Sequence, residues 1–185
     1  MEFYALNAEQ HALLKELMQR IRRLQSGGTL DSVAAMGINT DNQIGASFLS
    51  LRTLARSYKK DDKIATILWN SEQREEQIVA CFLFTTQLNR EKIIQLLSKA
   101  KNQEIIEYFG SLYLFDHPLF PQLLKDWSNS KELAWRLVIL SGGAKHIQRY
   151  KSESKIDITT FEKIVMQHYD DHYIELVANR YRLNC

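Results

Sequence analysis

The chain has 185 residues, 45% hydrophobic and 25% charged, enough for one sizeable core. Seven glycines and two prolines, Pro118 and Pro121, supply too few tight turns for a β-sandwich or barrel, and no apolar run nears the roughly 20 residues that span a bilayer. A net charge of +2 is too mild to identify a polyanionic partner, so any such reading rests on where the cations sit. Taken in chain order, the pattern is helical throughout. Asn7 with Gln10 resembles a capping box, and Leu14, Leu17, Met18, Ile21 and Leu24 follow at helical spacing until Ser26-Gly27-Gly28. A short helix from Leu30 to Met36 precedes the polar turn Asn39-Thr40-Asp41-Asn42, and Ser47 caps a helix carrying Phe48, Leu51, Leu54 and Ala55. Asp61-Asp62 opens the next, through Ile64, Leu68 and Trp69, and a helix from about Glu72 to Phe84 carries the apolar run around Cys81.

The second half repeats this grammar. Asn89 caps a helix with Ile93, Ile94, Leu96 and Leu97, Asn102 caps one with Ile105, Ile106, Phe109 and Leu112, and Asp116-His117-Pro118 ends it. Leu119 to Trp127, Ser130 to Leu140, Ile147 to Tyr150, Thr159 to His168 and Asp171 to Tyr181 complete the set, with Thr159 and Glu162 as a second expected capping box. Gly142-Gly143 and Lys151 to Lys155 read as flexible connectors. The expectation is an all-α, HEAT-like α-α superhelix of about ten short antiparallel helices, forming a single helical-repeat domain over 1–185. Cys81 and Cys185 cannot make a disulfide framework, and the acidic start Met1-Glu2 is no secretory leader, so a reducing, cytoplasmic setting without a membrane partner is expected.

Three segments in the middle of the chain carry a family resemblance. Gly45-Ala46-Ser47-Phe48-Leu49-Ser50-Leu51-Arg52-Thr53-Leu54-Ala55 resembles a Gly-Val-x-x-x-x-Leu-Arg-x-Leu-Ala segment, and Leu68-Trp69-Asn70-Ser71 with Glu75 and Ala80 is similar to Leu-Trp-x-Ser with a later Glu and Ala. In the second, the usual Arg two places after the Glu is Gln77. Trp127-Ser128-Asn129-Ser130-Lys131-Glu132 resembles Trp-Ala-x-Ser-x-Glu, and Arg136 before Leu137-Val138-Ile139-Leu140 resembles the second Arg of a Trp-x-Arg-Arg signature. These motifs, in this order from Gly45 to Leu140, look like those of the HEAT-repeat alkylpurine DNA glycosylases, the bacterial DNA alkylation repair enzymes.

The resemblance implies a curved stack of helix pairs whose basic face holds double-stranded DNA, and release of cationic N3- or N7-alkylpurines with an Asp carboxylate stabilising the developing sugar cation. Such a base is already a good leaving group, so a placed anion and a positioned water supply the rest. The chain departs from the family where that acid belongs. The corresponding stretch, Gln103 to Phe115, contains no Trp and no Asp, and the acid position falls on Gly110 or Ser111. Glu107 is the closest candidate carboxylate, about one helical turn away. Trp135 stands where the first Arg of the paired signature would fall.

Each candidate has a second reading. Arg52, Arg56, Lys59, Lys60 and Lys63 recur at spacings of three and four and form a cationic ridge that suits phosphates, or else complement a helix C-terminus with Asp61 and Asp62 as neutralising partners. Arg136 meets either a phosphate or Glu132 one turn earlier. Trp69 and Trp127 sit at packing positions, while Trp135 is open to a role beside DNA. His168 and His172 stand four apart and could share a metal, but no third ligand is assured, and with no phosphate-cradling glycine loop either, no metal or cofactor is expected. The reading is a DNA-binding member of the alkylation repair family without its usual acid. The rivals are an active glycosylase with a non-standard acid and a helical scaffold for a protein partner.

Overall fold

The computed structural model describes residues 5–25, 30, 43–100 and 102–183, which hold ten α-helices and no strand, as the helical periodicity requires. Except for Leu30, the expected helix from Leu30 to Met36 and the turns Ser26-Gly27-Gly28 and Asn39-Thr40-Asp41-Asn42 fall outside these residues. The chain divides into two compact units, Met1–Thr85 and Thr86–Cys185.

In the first unit, α1 (Ala8–Arg22) begins with the expected capping box: Asn7 Oδ1 accepts from the Gln10 N–H at 2.7 Å, and Gln10 Oε1 accepts from the Asn7 N–H at 3.2 Å. Ser47 caps α2 (Phe48–Ala55), and Asp61 caps α3 (Asp62–Asn70) by accepting from the Lys63 and Ile64 N–H groups at 2.9 and 3.0 Å. The Gln10 amide donates to the other oxygen of Asp61 at 2.8 Å, tying α1 to the start of α3. Next comes α4 (Arg74–Leu83), which starts two residues later than the periodicity predicts because Glu72 takes a positive φ of 60°. Helices α1, α2 and α3 all pack against α4. That explains its nearly unbroken apolar run: Ile78, Val79, Ala80, Cys81 and Leu83 are all buried. Burial pushes the Cys81 thiol well above its usual range, which suits core packing and not chemistry.

The second unit is organised around one long helix. Asn89 caps α5 (Arg90–Leu97), and Asn102 caps α6 (Gln103–Tyr108). Without a break, α6 runs into a π-helical turn, Phe109–Tyr113, and a 3-10 turn, Leu114–Asp116. There follow α7 (Phe120–Trp127), with Pro121 in its first turn, α8 (Leu133–Tyr150), α9 (Ile158–Met166) and α10 (His172–Arg182). The π turn, α6, α7, α9 and α10 all pack on α8.

Gly142-Gly143 is no connector. It lies in the middle of α8, and both residues are buried. A Cβ on Gly142 would lie 2.7 Å from the Phe120 ring, and one on Gly143 would lie 2.2 Å from the Phe161 ring, so the glycines admit neighbouring aromatic side chains to the helix backbone. Two helix starts also differ from expectation. Asp157, not Thr159, caps α9 by accepting from the Thr160 N–H, and α8 begins at Leu133, after Ser130 Oγ has accepted from the Glu132 N–H.

Candidate nucleic-acid interface

In the first unit, Arg52 lies on α2, with Arg56 one turn on at its C-cap. Lys59 and Lys60 follow in the connector, and Lys63 lies in the first turn of α3. Arg52 is half-buried and the other four are exposed. Among the described residues none of the five forms an ion pair; the Lys63 ammonium reaches the Ala5 carbonyl at 3.4 Å and its charge acts on Asp61. Two carboxylates, Asp61 and Asp62, lie among these cations, and their hydrogen bonds go to neutral groups. Burial acts to raise the Asp61 carboxyl, but bonds from Gln10 and from the Ile64 and Lys63 N–H groups, together with the Lys63 charge, outweigh it and hold the carboxyl below its ordinary value. Asp62 accepts from the Thr85 N–H and hydroxyl at 2.7 and 2.5 Å. None of the ridge cations is in an ion pair among the described residues, whereas the neighbouring Arg20 is paired with Glu16 and bonded to Tyr58.

The motif residues Gly45 and Glu75 prove to be partners, which spacing along the chain did not show. Glu75 is 2% exposed, and its carboxylate accepts from the N–H groups of Ile44, Gly45 and Ala46 at 3.1 to 3.2 Å. Gly45 takes a φ of 74°, which turns those amides toward the carboxylate. Arg74 bridges the Glu75 carboxylate and the Ala46 carbonyl at 3.4 and 3.3 Å. This clamp sets the approach to Ser47 and thus the direction of α2, which carries Arg52. Trp69 is fully buried, with its ring edge-on to Phe84, so it packs as its spacing predicts.

In the second unit, Trp135 stacks on the buried Trp127 with ring centroids 4.5 Å apart. Arg136 does not pair with Glu132 in the described contacts: its Nε donates to the Ser130 carbonyl at 2.5 Å, and its guanidinium sits 5.6 Å from the Tyr169 ring centre. Glu107 accepts from the Tyr173 hydroxyl at 2.8 Å and from Arg180 at 3.0 Å, tying α6 to α10. Burial, then the Glu107 charge, raises the Tyr173 phenol far above its usual range. The two residues at the family's acid position part company. Gly110 is closed off, since a Cβ there would lie 2.2 Å from Ser141 Oγ and 2.6 Å from the Val138 carbonyl, while Ser111 lines a pocket of about 550 Å³. His168 lies 3.6 Å from Glu175, and no group of three metal-binding side chains occurs among the described residues.

A family model for the DNA alkylation repair enzyme matches residues 17–172, most of the chain, and the protein belongs to that family. No curated protein and no solved structure gives a significant match. Among the described residues no helix is long and apolar enough to cross a membrane.

Proposed function

We propose that this member of the DNA alkylation repair family binds double-stranded DNA by its backbone, with Arg52, Arg56, Lys59, Lys60 and Lys63 as the phosphate-contacting ridge. The observation that carries this reading is the arrangement of the ridge: five cations close together in the chain, four of them exposed, and none in an ion pair among the described residues. Contacts of this kind position a protein on a duplex without reading its sequence. In the second unit, Arg136 keeps its terminal nitrogens for a phosphate, and Trp135, with one face on Trp127, offers its remaining surface to the DNA.

Catalysis is a separate matter. The usual Asp is absent from Gln103 to Phe115, and Glu107 is engaged by an arginine and a phenol that fix its position. We read Glu107 as a tie between α6 and α10, and the protein as one that recognises alkylated DNA without the family's standard acid. The charge-reversed triple variant Arg52→Glu, Arg56→Glu, Lys60→Glu tests the binding face by fluorescence anisotropy on a labelled duplex. Binding should be abolished at low salt. Unchanged affinity and salt slope in a folded variant would show that this ridge is not the interface, and a tight protein partner in place of DNA would favour the scaffold reading.

A further inference from the structure

Two buried imidazoles meet the 3-10 turn Leu114–Asp116, and each accepts a hydrogen bond from a backbone N–H that leads into a helix. His117 is 3% exposed, and its Nδ1 accepts at 3.1 Å from the N–H of Leu119, the residue before α7. The proton of this neutral ring therefore sits on Nε2, which is buried near the Leu88 carbonyl and has no hydrogen-bond partner among the described residues. His146, on α8, is 5% exposed. Its Nδ1 lies 2.6 Å from the Phe115 carbonyl, which can only accept, so this nitrogen carries the proton and Nε2 accepts from the Lys155 N–H at 3.3 Å. Lys155 stands two residues before Asp157, the cap of α9. The two rings thus hold opposite tautomers, each fixed by its backbone partners.

A neutral ring suits these bonds and a charged one breaks them. Once either imidazole takes a proton, both its nitrogens are donors, and the one that accepted now turns an N–H toward an N–H. Both rings line one pocket of about 290 Å³, which opens to solvent and gives a proton its route. The other titratable groups on that pocket are Asp116, Tyr150 and Lys155. Asp116 accepts from the Tyr150 hydroxyl, and its negative charge and the positive charge of Lys155 act in opposite directions on an imidazolium. From the π turn, the Tyr113 ring stands edge-on to His117 with centroids 5.6 Å apart, and from α7 the Phe120 ring lies 5.9 Å from His146. Burial holds the His117 imidazole below its ordinary value, against the pull of the Leu88 carbonyl. Since the folded value lies below the unfolded one, the stability this ring contributes is complete above about pH 6.5 and is lost as the pH falls below it. The connector from Lys151 to Lys155 is also strained at its far end, where Lys151 takes a φ of 49°. We propose that His117 and His146 form an acid-released latch: at neutral pH they hold the lead-ins to α7 and α9 in place, and protonation releases both.

The test uses the full chain and NMR. Long-range proton–nitrogen spectra at about pH 7.5 should show the Nε2–H tautomer at His117 and the Nδ1–H tautomer at His146. Between there and about pH 5, above the range in which ordinary carboxylates titrate, each ring should take up its proton. The hydrogen-exchange protection of its own partner amide, Leu119 for His117 and Lys155 for His146, should fall about ten-fold in step, after correction for the intrinsic pH dependence of exchange. In the double variant His117→Asn, His146→Gln, the side-chain amide oxygens accept the same two N–H groups without titrating, so both amides should keep their protection at about pH 5. Should that variant fail to fold, the native protein still decides, because ring charge and amide protection are read in one sample. An amide that stays protected once its own histidine is charged overturns the proposal. So does either ring remaining neutral at about pH 5, a reversed tautomer at neutral pH, or an equal loss of protection in the non-titrating variant.

Discussion

Glu75 shows how a charged residue in a core becomes a folding determinant. A carboxylate out of water is costly unless its oxygens are satisfied, and here three backbone N–H groups and one guanidinium satisfy them. Removing it leaves two buried donors and one part-buried donor without their acceptor. Glu75→Ala should therefore lower stability by about 3 kcal/mol, read as a fall in the urea midpoint, and should loosen the segment that leads into α2. A change below about 0.5 kcal/mol would mean that water replaces the carboxylate at no cost. Duplex affinity should fall with it, because Arg52 depends on the direction of α2. Sequence reading found Gly45 and Glu75 only as separate motif letters, since a contact across 30 residues leaves no periodic signal.

At the scale of elements, helix starts were the most legible feature. Asn7, Ser47, Asp61, Asn89, Asn102 and Asp171 all cap as their residue types predict, because a side-chain oxygen beside unsatisfied N–H groups is a local arrangement. Helix interiors were less so. The pair Gly142-Gly143 reads as a break from intrinsic preference, about 1 kcal/mol per glycine, but packing against Phe120 and Phe161 outweighs it. The π turn at Phe109–Tyr113 has no sequence signature, and it decides which of Gly110 and Ser111 faces the pocket. The consequence is an inverted glycine effect. In an open helix Gly→Ala stabilises, but Gly110→Ala should destabilise by about 1 to 3 kcal/mol, because its Cβ meets the Val138 backbone carbonyl as well as Ser141. A melting temperature equal to or above that of the native protein would contradict this close approach.

The clasp between α9 and α10 belongs to the same scale. Arg182 bonds Glu175 at 2.6 Å and the Val165 carbonyl at 2.8 Å, while Glu175 also accepts from the Tyr169 N–H at 3.0 Å. The Arg182 bond, then the Tyr169 N–H, lowers the Glu175 carboxyl from 4.5 to about 2. Since the folded value lies below the unfolded one, the stability it contributes is fully present above about pH 4.5 and is lost as the pH falls toward 2. Acid titration followed by circular dichroism should show a loss of helix in that window, and Glu175→Gln should flatten it. An identical acid limb in the variant would place the titration on other carboxylates.

For the whole molecule, a net charge of +2 says little, and the spatial allocation of acids decides the electrostatics. The family was legible from ordered motifs, whereas the lack of an ion pair on the cationic ridge was not, because no linear pattern shows which groups bond the oxygens of Asp61 and Asp62. The most direct measurement is an anisotropy titration of a labelled duplex by the native protein across a series of salt concentrations, with and without an N7-methylpurine analogue. Six phosphate contacts, five from the ridge and one from Arg136, predict that log affinity falls against log salt with a slope of about −5.4, with tighter binding to the alkylated duplex. A slope near zero, or no binding at low salt from a folded sample, would contradict the account.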